Sequence, residues 1–157
     1  METLILILAI SAVLFYIMYL RQKKLVDSGQ IIKRDSSYME KAHIFTLTNG
    51  DWPRVWEELR TADYHGTCSG TKDSTRPLVL YKGVNWTAEL YKCGTVEGEK
   101  DTYRFQFTHW ETRQGLIQYE SDMNTLLTTV EKTFLKIDPQ TQVSEQAIDI
   151  KTKTKFF

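Results

Sequence analysis

The chain opens with a long apolar stretch. Residues 3–20, TLILILAISAVLFYIMYL, contain no charged residue, no glycine and no proline. A helix of this length rises ~27 Å, which is close to the hydrocarbon thickness of a bilayer. A core helix of a soluble domain would normally show one polar face, and this stretch shows none. The pattern therefore predicts a transmembrane anchor over residues 1–20.

The charges around this stretch predict its orientation. Glu2 is the only charged side chain before it, whereas basic residues follow at 21, 23, 24, 33 and 34. Because short segments rich in lysine and arginine stay in the cytoplasm, we expect a single-pass protein with its domain on the cytoplasmic side. The alternative is a cleavable signal peptide. It would place basic residues before the apolar run and small residues at its end, where this chain has Met18, Tyr19 and Leu20.

The chain beyond the anchor divides by its hydrophobic pattern. Residues 21–41 are polar, without a sustained period, and predict a basic juxtamembrane linker that is helical only where it leaves the membrane. Residues 42–139 carry regular patterns and predict a soluble domain. It begins with a short strand at 43–48, followed by a helix over 52–62 with Asp51 as its N-cap.

The middle of the domain has the two-residue period of strands. Apolar and polar residues alternate over 84–91 and again over 103–108, and shorter runs rich in strand-forming residues lie at 67–71, 77–82 and 116–120. A helix then follows from a cap at Ser121 or Asp122, with apolar residues at steps of three and four, and ends at Pro139. We therefore predict an α+β fold in the order β-α-β-β-β-β-α. It has two amphipathic helices and an antiparallel sheet of about four to six strands.

Residues 140–157 have low hydrophobicity, and we expect a polar C-terminal tail. The alternative is an added edge strand over residues 147–150.

The balance of 20 basic and 20 acidic residues conceals two regions of opposite charge. Residues 21–41 hold six basic and three acidic groups, a net +3, which suits anionic lipid headgroups. Residues 42–140 hold eleven basic and fourteen acidic groups, a net −3. Because a nucleic-acid module normally has a basic face, we expect the partners to be the bilayer and a protein, with no nucleic acid.

The sequence offers little chemistry. His65, Cys68, Cys93 and His109 have the composition of a Cys2His2 zinc site, and either cysteine could pair with His65 or His109 as a nucleophile, but the spacings that specify such sites are missing. Cys68 and Cys93 are expected to be reduced thiols in a cytoplasmic domain. The phosphate-loop, dinucleotide, zinc-protease and nucleophile-elbow motifs are missing too. We therefore expect no enzymatic activity, no cofactor and no metal.

The surplus of aromatic side chains suggests binding. Trp86, Trp110 and Tyr91 are candidate partner-binding residues, because aromatic rings on a sheet surface are favoured at protein interfaces. Trp110 would face away from Phe105 if its strand were unbroken. The most direct hypothesis is an accessory or scaffold protein that binds another protein at the membrane. The alternative is a small-molecule or lipid-binding domain, with a pocket lined by Tyr103, Phe105, Phe107, Met123 and Phe134.

Overall fold

The structure is a computed structural model that describes residues 2–96, 100–149 and 153–155. The chain divides into two compact units, one ending at Lys33 and the other beginning at Arg34. Each unit is described by itself.

The first unit is dominated by helix α1, Glu2–Asp27. Its residues from Thr3 onward form a helix that is long and apolar enough to cross a membrane, and none of its apolar window is buried. The helix continues past the apolar run, so that part of the predicted linker is helical. Gly29 ends it with a φ of 71°, and its N–H donates to the carbonyl of Val26 at 2.8 Å. Glycine tolerates this left-handed conformation because it has no Cβ.

The second unit is an α+β domain, as predicted. Its strands are β1 Lys41–Leu47, β2 Ser69–Lys72, β3 Leu78–Lys82, β4 Trp86–Val96, β5 Lys100–Arg113, β6 Leu116–Ile117, β7 Gln142–Ala147 and β8 Lys153–Lys155. The sheet order is β2-β3-β4-β5-β1-β7, antiparallel throughout, and β6 adds antiparallel to the end of β5. Strand β8 pairs parallel with β5. The antiparallel sheet is confirmed, with more strands than the pattern predicted.

Two α-helices lie on one face of this sheet. Helix α2 is Trp52–Thr61, helix α3 is Glu120–Ile137, and a 3-10 turn at Ser36–Glu40 precedes β1. The apolar residues of both helices and the alternate residues of the four central strands share one buried cluster. We call the sheet face that carries this cluster the inner face. Its other face, the outer face, carries partly exposed polar side chains such as Glu89, Arg104 and Gln106.

A β-bulge in β5 changes which face Trp110 occupies. Ala88 lies opposite Phe107, whereas Thr87 lies opposite His109, so Thr108 is an extra residue in β5 with no residue of β4 directly opposite it. This insertion resets the alternation and turns Trp110 to the inner face, where it is 3% exposed. The prediction that Trp110 faces away from Phe105 is therefore wrong, because it assumed an unbroken strand.

Two terminal features also differ from the sequence pattern. Helix α3 begins earlier than a Ser121 or Asp122 cap would place it, after Tyr119 in the left-handed conformation with a φ of 59°. Residues 142–147, expected to be tail, form β7 on the edge of the sheet beside β1. This strand starts before the alternative edge strand that was expected over 147–150.

A glycine substitution tests the packing of the β3–β4 hairpin. A Cβ added to Gly83 would lie 2.0 Å from Cε2 of Trp86, whose side chain is fully buried. We expect Gly83→Ala to reduce the free energy of unfolding by ~1–3 kcal/mol or more, because the indole must be displaced from the core. Urea unfolding of the detergent-solubilised chain, followed by tryptophan fluorescence, measures this loss. The neighbouring Val84→Ala serves as control, since Val84 is 53% exposed and its truncation should cost ~0.5 kcal/mol or less. Equal midpoints for the two variants would contradict this account of the hairpin.

Candidate functional site

The two tryptophans predicted to bind a partner lie in the core. Trp86 and Trp110 are opposite each other across β4 and β5, at 1% and 3% exposure. Trp86 packs edge-on against Phe107, with ring centroids 6.0 Å apart. Neither indole presents a surface to a partner, which corrects the expectation drawn from sequence. Tyr91 lies on the outer face and is half-buried.

The five predicted pocket residues are all fully buried in the same cluster. Tyr103 and Phe134 lie 5.3 Å apart by ring centroids, and Phe105 and Phe107 meet at right angles at 5.2 Å. Tyr103 also donates its hydroxyl hydrogen to the carbonyl of Gly50 at 2.6 Å. These are the contacts of a hydrophobic core, so the structure supplies no observation that favours a ligand at these residues.

The thiols are not activated for nucleophilic attack. Both cysteines are free, Cys68 partly buried and Cys93 exposed. Burial raises the pKa of Cys68 to about 11, and the smaller burial of Cys93 raises its pKa as well. A catalytic thiol needs a lowered pKa, so neither environment favours the thiolate. Within the described residues, no three His, Cys, Asp or Glu side chains are grouped to hold a metal ion.

The most elaborate polar site is one that the sequence analysis did not identify. Arg34, the first residue of the second unit, inserts its guanidinium against α3. It donates to Asn124 Oδ1, to Thr128 Oγ1 at 2.8 Å and to Glu131 Oε2, and its side chain is 11% exposed. We call this group the Arg34 clasp. Its three acceptors on α3 are spaced by four and three residues, a polar stripe beside the apolar one that was visible in the sequence.

Burial shapes the electrostatics of the clasp. It raises the pKa of Glu131, while the Arg34 guanidinium opposes that shift. Because an ion pair in a partly dry site is screened little by solvent, the two charges depend on each other. The clasp therefore attaches the start of the domain, at Arg34, to helix α3.

A buried histidine lies next to the clasp, on the inner face of β1. His43 is 1% exposed, its Nε2 is 3.1 Å from the carbonyl oxygen of Tyr38, and its Nδ1 is 3.8 Å from Glu145 Oε1. Burial is the main cause that lowers the pKa of His43, and the Arg34 and Lys41 charges act in the same direction. Glu145 on β7 in turn pairs with Lys41 at 2.6 Å. The neutral imidazole is therefore the form that this site stabilises.

The outer face of the sheet is polar and internally hydrogen-bonded. Gln106 donates to Glu89 Oε1 at 2.7 Å, and Arg104 donates to Gln106 Oε1 at 3.0 Å and across β1 to Gln146 Oε1 at 3.2 Å. Because these side chains already hydrogen-bond to one another, a partner that covered them would disrupt some of those bonds. Among the described strands, β2 and β7 end the six-strand path of the sheet, and each has one side with no strand paired to it.

Comparisons with protein-family models, with curated proteins and with solved structures return no match.

Removing the clasp cation should destabilise the domain. We expect Arg34→Met to reduce the free energy of unfolding by up to ~3–5 kcal/mol, because Glu131 is left partly buried without its counter-charge. The double variant Arg34→Met/Glu131→Met should recover most of the loss. Arg60→Met is the matched control, since its pair with Glu57 is exposed and worth ~1 kcal/mol or less. Urea unfolding of the full chain measures all four proteins, and an Arg34→Met loss no larger than that of Arg60→Met would count against the clasp.

His43 should make stability depend on pH. Its pKa is lower in the folded state than the 6.5 of the unfolded chain, so the unfolded chain takes up the proton first. The free energy of unfolding should therefore fall as pH drops below 6.5, by at most ~1.4 kcal/mol per pH unit. Urea unfolding midpoints are measured between pH 5.5 and 7.5. The pH dependence should disappear in His43→Gln and remain in a His65→Gln control, since the His65 side chain is exposed. An unchanged slope in His43→Gln would refute this assignment.

Proposed function

We propose that this protein is a single-pass membrane-anchored accessory or scaffold protein whose α+β domain lies in the cytoplasm and binds another protein. The observation that carries the proposal is helix α1, which presents apolar side chains around its whole circumference and buries none of its apolar window. A helix of that kind is stable in a bilayer and costly in water. The basic residues after it support the cytoplasmic orientation.

The character of the domain supports binding rather than catalysis. Its thiols have raised pKa values, and the aromatic residues suspected of lining a pocket pack against one another. Helices α2 and α3 pack on the inner face of the sheet, and the described residues of the domain leave the outer face partly exposed and β7 exposed. An accessory subunit needs such surfaces and no reactive centre.

The exposed thiol of Cys93 gives a direct test of anchoring and orientation. In the Cys68→Ala variant, Cys93 is the single reporter for a membrane-impermeant maleimide. We expect no labelling in sealed cells and full labelling after permeabilisation, with the chain remaining in the membrane pellet after alkaline carbonate extraction. The control is Cys68→Ala/Cys93→Ala with Glu2→Cys, which should be labelled in sealed cells. Labelling of Cys93 in sealed cells would reverse the orientation, and a soluble chain shortened by the apolar run would identify a cleaved signal peptide.

Purification in mild detergent tests the binding function. At native expression level, we expect mass spectrometry to find a second protein in stoichiometric amount with this chain. The control is a protein with residues 1–33 retained and the domain removed, which should lose that partner because the proposal assigns binding to the domain. A chain that always purifies alone, or a partner that remains with the truncated protein, would overturn the proposal.

A further inference from the structure

Strand β7 is a bare edge of the sheet. All six of its residues are exposed, and among the described residues no strand lies on its outer side. The N–H of Ile148 donates to the carbonyl of Glu40 at 3.0 Å, just beyond the β1–β7 register. Hydrogen-bonding direction alternates along an antiparallel strand, so Ser144 and Gln146 also bond to β1. The N–H and C=O groups of Val143, Glu145 and Ala147 consequently point away from the sheet.

The opposite edge, β2, is protected in a way that β7 is not. It has four residues, and the Lys72 ammonium lies over the Trp56 ring at 5.7 Å, closing the inner face there. Short length and a lysine are devices that prevent further strand addition. Strand β7 is longer, contains no lysine or proline, and pairs with β1 in continuous register without a bulge; its one charged side chain is Glu145. Among the described strands, β2 is thus better guarded against strand addition than β7.

Side chains beside the bare edge define what could pair with it. Val143 lies opposite Phe45, whose ring stacks on Phe134, and Val143 is nearly half exposed, at 45%. Two residues along β7 from Val143, the Glu145 side chain is 46% exposed; one of its oxygens pairs with Lys41 and the other lies 3.8 Å from His43 Nδ1. The inner side of the edge therefore presents an apolar side chain and, two residues further along, a carboxylate.

We infer that β7 is the docking site for an extended segment of another protein, which adds to the sheet as a further strand. Its inward side chains would be an apolar residue opposite Val143 and, two positions along, a basic residue opposite Glu145. Backbone hydrogen bonds supply affinity in this mode, and alternate side chains supply specificity. This inference rests on the proposed function and names the mode of binding. Residues 34–157, the unit that contains β7, hold 16 basic and 18 acidic groups, a net −2, which also favours a basic partner.

A second copy of the chain fits this edge poorly. If two copies joined at β7 with their helices on the same side of the combined sheet, inner-face residues would have to lie opposite inner-face residues. Two antiparallel registers meet this condition and pair most of β7 with itself. One places Glu145 opposite Glu145, and the other places Glu145 opposite Val143. Like charges directly opposite are destabilising, and a carboxylate against valine gains nothing. A different polypeptide avoids both arrangements.

A designed peptide tests the edge directly in the full chain, held in detergent micelles and labelled for NMR. The probe is a heptapeptide with valine, lysine and valine at its even positions and threonine at its odd positions. We expect amide hydrogen exchange to slow at least tenfold at Val143, Glu145 and Ala147, with no comparable change at Ser144. A control peptide with glutamate in place of lysine should bind at least tenfold more weakly. Protection at a different surface, no protection, or equal binding of the two peptides would overturn the inference.

Two substitutions separate this site from the proposed function. Val143→Lys places a lysine on the edge strand, as in β2, where it disfavours addition of a further strand. Ala147→Pro removes one outward N–H without disturbing the hydrogen bonds to β1. Each should reduce peptide affinity at least tenfold while urea unfolding midpoints stay near that of the Ser144→Thr control. Both variants should also lose the protein that copurifies from membranes. A partner fully retained by both folded variants would overturn the β7 assignment and leave the proposed function standing, whereas a wild-type chain without any partner would overturn both.

Discussion

The domain depends on one contact layer, the apolar stripe of α3 packed on the inner face of the sheet. The rings of Phe45 and Phe134 stack at its centre, 4.5 Å apart and 11° from parallel. Met123, Leu126 and Val130 continue the stripe at 0% exposure. Full burial of each such side chain contributes ~1.5–3 kcal/mol, so a few residues outweigh any single polar contact in the fold. Because this layer occupies one face only, the opposite face is left to polar side chains.

The sequence predicts this layer well because both of its periods are local. Alternation over β4 and steps of three and four over α3 arise from backbone geometry and are visible without knowledge of the partners. The face of Trp110 could not be predicted in the same way. It depends on the bulge at Thr108, and no glycine or proline marks that position in the sequence. One extra residue was enough to transfer a candidate binding side chain to the core.

Features that depend on distant residues could not be predicted from local sequence patterns. Strand β7 has no strong two-residue period, because all of its side chains are exposed and its pairing comes from the backbone of β1. A polar segment with such a pattern resembles a tail unless the free edge of β1 is known. The Arg34 clasp joins residues about ninety positions apart. The polar stripe on α3 was readable, but its cation lies in a segment that composition assigned to a solvated linker.

The clasp and the bare edge lie on the same side of the domain. Glu145 of β7 pairs with Lys41 and lies 3.8 Å from His43 Nδ1, and its charge acts on both members of the Arg34–Glu131 pair. It repels Glu131 and attracts Arg34, so its two contributions to the clasp oppose each other. The attachment of Arg34 to α3 therefore rests on its direct contacts with Asn124, Thr128 and Glu131.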